Sequence, residues 1–84
     1  MEDHIIIGVH VTNRSKEVSE VQRLLTEYGA HIKTRLGLHE VYRTDSPTGI
    51  LLLEMHGDEG VCLELADKLN EIEGVDTQRM IFGH

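Results

Sequence analysis

Apolar and polar positions along this chain switch between two periods. From Ile5 to Val11 the run is rich in β-branched residues and stops at Thr12-Asn13, which predicts a strand entering a turn. Val18, Val21, Leu24, Leu25 and Tyr28 then recur at helical spacing, with Ser15 as the expected cap and Gly29 as the expected left-handed closing residue. Ile32, Thr34, Leu36 and Leu38 alternate with Lys33, Arg35 and His39, the period of a half-buried strand, and Gly37 is placed for a bulge. Asp45-Ser46-Pro47-Thr48-Gly49 has the composition of a turn and makes the flanking strands a hairpin.

The same order follows again. Ile50 to His56 reads as a strand, Asp58 as a helix cap, and Cys62, Leu65, Ala66, Leu69 and Ile72 as an apolar stripe closed by Gly74. Val75 to Phe82 supplies a last strand. Ile5 and Ile50, Leu24 and Leu69, and Gly29 and Gly74 stand 45 positions apart, so the chain is two strand–helix–strand halves. Two such halves on one sheet make an α+β, ferredoxin-like βαββαβ fold. Its antiparallel sheet has strand order 4-1-3-2, with both helices on one face because the crossovers share a hand. Helices on both faces would need strands apolar along their whole length, and these alternate.

With helices over Ile5, Ile7, Val9, Leu51, Leu53 and Met55, the opposite side of the sheet receives Ile6, Gly8, His10, Ile50, Leu52, Glu54 and His56. The second strand is expected to add His31, Lys33, Arg35 and His39. An aliphatic centre with a titratable rim suits a subunit interface. The expected state is a homodimer or homotetramer, paired sheet to sheet or edge to edge. A monomer with scattered surface aliphatics is the alternative.

Length and charge narrow the picture. Eighty-four residues allow one domain, 1–84, and so small a chain buries only roughly 60% of its unfolded surface alone. Fifteen acids against eight Lys and Arg give a net charge of −7, which repels phosphate backbones and argues against direct nucleic-acid binding. One cysteine excludes an internal disulfide and suits a reducing cytoplasm. The opening Met1-Glu2-Asp3-His4 is acidic where a secretory leader would be basic, and the Ile50–Leu53 run is far too short to span a membrane. The expectation is a cytoplasmic domain.

Three places carry candidate chemistry. Thr12, Asn13, Arg14 and Ser15 open the first helix with hydroxyls, an amide and a guanidinium, where backbone N–H groups could hold a carboxylate or phosphate. Ordinary capping by Asn13 or Ser15 explains them equally well. His4, His31 and His56 converge at one end of the sheet and could bind a transition metal, with Glu54 or Cys62 as further ligands. Surface histidines are the plainer reading. Cys62 also belongs to the apolar stripe, where a small core thiol is expected. There is no Walker loop, dinucleotide glycine fingerprint, nucleophile elbow or paired-cysteine zinc motif, so the chain reads as a non-enzyme requiring no cofactor.

Two resemblances add to this. Ile6-Ile7-Gly8-Val9 with Thr12-Asn13-Arg14, Glu27-Tyr28-Gly29, Arg35-Leu36-Gly37 and Glu73-Gly74-Val75 resemble the small iron-only hydrogenase system regulators over roughly residues 5 to 82. That resemblance implies an ACT-like regulatory domain that oligomerises and acts through a small ligand or a protein. Residues 54 to 64 are similar to the metal-site segment of the nickel-responsive ribbon-helix-helix regulators, which reads His-x-His, five residues, then Cys. His56 and Cys62 match its second His and its Cys, and Glu54 stands where the first His belongs. This implies, as the alternative function, a transition-metal sensor using Glu54, His56 and Cys62.

Overall fold

The computed structural model describes residues 4–12, 14–38 and 49–83, with the backbone alone for 14–17. Strand β1 (His4–Val11) leads to helix α1 (Arg14–Glu27), a 3-10 turn (Gly29–His31) and strand β2 (Ile32–Leu38). Strand β3 (Gly49–Met55), helix α2 (Glu59–Asn70) and strand β4 (Val75–Phe82) follow. The four strands form one sheet in the order β2-β3-β1-β4, every neighbouring pair antiparallel, which is the ferredoxin-like arrangement read from the pattern.

Alternation places the core. Ile5, Ile7, Val9 and Val11 of β1 are buried with Leu53 and Met55 of β3, against Val21, Leu24 and Leu25 of α1 and Leu65, Ala66 and Leu69 of α2. Both helices therefore cover one face. Asp58 caps α2, its carboxylate accepting from the Val61 N–H at 3.1 Å, which satisfies one of the donors a helix start leaves open. Gly74, at φ +86°, turns the chain from α2 into β4, a conformation that costs a residue without Cβ little.

Several local expectations change. Gly29 does not adopt positive φ; the chain leaves α1 through Tyr28 into the 3-10 turn instead. Ser15 lies inside α1, which begins at Arg14, and the preceding position, Asn13, falls outside the described residues. The bulge is between Ile32 and Thr34 rather than at Gly37. Because side chains alternate with a period of two, that extra residue exchanges the faces of the rest of β2. Thr34, Leu36 and Leu38 thus lie opposite Glu54, Leu52 and Ile50 on the open face, while Arg35 reaches Gln22 of α1. Thr34, Leu36 and Leu38 occupy the open face where Lys33 and Arg35 are expected. The same period breaks the 45-residue repeat within strands, since Ile5 is buried under the helices and Ile50 is exposed on the other side. His39 and the 45–48 turn lie outside the described residues.

Candidate functional site

The segment opening α1 sits at the sheet end where β1 finishes and β3 and β4 begin. Thr12 donates both its backbone N–H, at 2.8 Å, and its hydroxyl, at 2.7 Å, to the carbonyl of Gly74. This fixes the exit of β1 against the α2–β4 turn. Arg14 and Ser15 occupy the first positions of α1, and Asn13 lies outside the described residues.

Beside this segment runs a groove of about 140 Å³ between α1 and the β2–β3 edge. Val11, Val18, Val21, Leu51, Gly37 and Gly49 line it. Its cause is local: Gly37 pairs with Leu51, and Gly49 with Val11, so two positions on the helix-facing side carry no side chain to fill the space under α1. Val18, expected in the buried stripe, stays largely exposed on the rim. The two glycines were the signal in the sequence, but Gly37 was readable there only as a bulge.

At the opposite end of the sheet His31 and His56 approach, with ring centroids 6.5 Å apart and His31 Nδ1 3.3 Å from the His56 carbonyl oxygen. The His56 N–H donates to the His31 carbonyl at 2.9 Å, and the register of β1 brings His4 to the same end. Gly57, at φ +91°, passes so close that an added Cβ would lie 2.8 Å from His31 Nδ1. Glu54 turns to the open face and accepts from the Thr34 hydroxyl at 2.9 Å. Cys62 is 1% exposed within the core, its Sγ 3.6 Å from the His56 carbonyl oxygen. Among the described residues no three His, Cys, Asp or Glu side chains are grouped as a metal would require.

Over the helices the charges pair locally. Tyr28, 7% exposed, donates its hydroxyl to Glu64, while Lys68 Nζ sits 5.4 Å from the centre of the Tyr28 ring. The hydrogen bond with Tyr28, and after it the neighbouring carboxylates of Glu64 and Glu27, hold Lys68 above the ordinary lysine value. Among the described residues no helix is long and apolar enough to cross a membrane.

Comparison with known proteins agrees with this architecture. Residues 4–79 match the TM1266-like family model, described as "Iron-only hydrogenase system regulator, putative". No curated protein matches. Among solved structures, the uncharacterized protein TM1266 from Thermotoga maritima is similar at TM-score 0.84 and 24% identity, over 98% of this chain and 100% of that one. The ACT domain from GTP pyrophosphokinase of Chlorobium tepidum is similar at TM-score 0.65 and 17% identity, over 95% of this chain and 89% of that one. A formyltetrahydrofolate deformylase from Pseudomonas putida KT2440 is similar at TM-score 0.53 and 12% identity, covering 96% of this chain and 29% of that one. At these identities the structural neighbours establish an ACT-like fold.

Proposed function

The chain belongs to the TM1266-like family, and from that premise we propose that it is a non-enzymatic, self-associating regulatory module of the cytoplasm that responds to a small ligand or a protein. The observation carrying this reading is the apolar groove under α1 set beside the polar segment that opens the helix. A ligand of matching shape would place an aliphatic body between Val18 and Leu51. Its polar or anionic head would meet Thr12, Asn13, Arg14 and Ser15, where helix N–H groups favour negative charge.

Thermal-shift screening against amino acids, nucleotides and carboxylates tests it. A specific ligand at a hundred times its Kd stabilises the native state by about 2.7 kcal/mol, a rise of several degrees in Tm. The rise is expected to vanish in Arg14→Ala and in Val18→Glu. A library that shifts nothing, or shifts wild type and both variants alike, overturns the ligand reading.

A second reading, the transition-metal sensor, draws on the approach of His31 to His56 and of Cys62 to the His56 carbonyl. Glu54, His56 and Cys62 would supply the ligands. It requires Cys62 to leave the core and Glu54 to turn from the open face. Stoichiometric nickel, copper or zinc in protein purified without a tag, lost in His56→Ala, would favour this reading over the first.

A further inference from the structure

The open face of the sheet is more apolar than the chain's composition suggests, and its apolar residues have a direction. Successive rows across the sheet read Thr34, Glu54, Ile6, Met80, then Leu36, Leu52, Gly8, Gln78, then Leu38, Ile50, His10, Asp76. Phe82 extends the first end beside His4. The apolar side chains thus form a band along one diagonal, from Leu36, Leu38 and Ile50 at one corner through Leu52 and Ile6 to Met80 and Phe82 at the other. Two polar corners flank it. One holds Thr34 and Glu54 with His31 and His56 beyond; the other holds His10, Gln78 and Asp76.

We propose that this face is covered by a second copy of the chain, packed sheet to sheet with its strands crossing at near a right angle. The proposal rests on the reading of the chain as a self-associating module and names the surface and the geometry. Leu36, Met80 and Phe82 are 53, 51 and 53% exposed, a density of apolar surface that lone proteins rarely leave in water. Four strands about 4.8 Å apart, with rows about 6.7 Å apart, give a face of roughly 20 by 25 Å. Its plan area of about 500 Å², before side-chain relief, is of the same order as the ~800 Å² per partner of a standard interface.

The pattern also selects the partner and the angle. A two-fold axis lying along the apolar diagonal sets band on band and exchanges the polar corners. Thr34 and Glu54 then face His10 and Gly8 of the second copy, and His31 and His56 face its Asp76 and Gln78, so polar corner meets polar corner and no carboxylate meets another. An axis along or across the strands would set each apolar corner on a polar one, stranding Glu54 and Asp76 against aliphatics. Because the diagonal lies midway between strand and row directions, the partner's strands cross steeply, the orthogonal class of sheet packing. An unrelated partner would have no reason to match both corners.

Light scattering on the intact chain, with Leu36→Glu, Met80→Glu and a Gln78→Glu control, tests the face; circular dichroism verifies folding. Dimer or larger mass for wild type, with dissociation raised at least a hundredfold in the two diagonal variants and less than tenfold in the control, is expected. For the crossing, a short bismaleimide joins two Leu38→Cys protomers, since that residue lies near its own symmetry mate, and leaves Asp76→Cys protomers unjoined. Wild type running as a 9.5 kDa species overturns both this inference and self-association. Dimers that survive Leu36→Glu and Met80→Glu overturn the inference alone and point to the β2 or β4 edge. Asp76→Cys joining as readily as Leu38→Cys overturns the placement of the axis along the apolar diagonal.

Discussion

Tyr28 and Cys62 show how single side chains bind the helix layer to the sheet. The Tyr28 ring lies in the core while its hydroxyl is donated to Glu64 across the two helices. Tyr28→Phe is expected to cost about 1 kcal/mol in denaturant unfolding, since a bond to a carboxylate is lost at a half-wet rim. Lys68 takes part in the same cluster and is held above its ordinary 10.5. A base whose pKa rises on folding contributes fully below its unfolded value and loses that contribution as pH climbs through the folded one. Melting temperatures are therefore expected to fall above about pH 10.5 in wild type, and less steeply in Lys68→Met. Cys62, sealed among core residues, is expected to react with a thiol reagent only as fast as the chain opens. Cys62→Ser is expected to cost about 1–3 kcal/mol by burying a hydroxyl. Reaction at the rate of a model thiol in native buffer would contradict its placement. Its membership of an apolar stripe made this legible in the sequence; the Glu64 partner of Tyr28 was not, because it lies 36 positions away on another helix.

Among the elements, the entry to α2 is the most constrained. Gly57 combines positive φ with contact to His31, so Gly57→Ala strains the backbone and displaces the imidazole at once. A loss of about 1–3 kcal/mol is expected, larger than the ~1 kcal/mol typical of removing the adjoining cap with Asp58→Ala. Chemical denaturation of both variants checks the order; equal losses would mean that His31 yields without cost. β2 teaches a different lesson. Its alternation was plain in the sequence, yet one extra residue between Ile32 and Thr34 exchanges the faces of everything after it. A bulge leaves almost no trace in composition, since any residue can occupy it. The aliphatic content of the open face followed from that slip.

At the scale of the whole molecule, charge and burial oppose each other. The chain carries a net charge of −7 and an apolar sheet face, so two copies that meet must bring like charges together. Screening shortens that repulsion from about 10 Å at 0.1 M salt to about 3 Å at 1 M. Self-association measured by sedimentation is expected to tighten severalfold between 0.05 and 0.5 M sodium chloride. Weakening over that range would mean that ion pairs, rather than buried apolar surface, hold the copies together. The order of elements, the antiparallel sheet and the single helix-covered face were set by the sequence itself, because periods of two and 3.6 are local and the handedness of crossovers leaves few ways to join them. Tertiary structure alone decided the faces of β2, the groove above Gly37 and Gly49, and the diagonal of aliphatic groups. Each depends on which residue lies opposite which across neighbouring strands, and register is a relation between distant segments that no window along the chain contains.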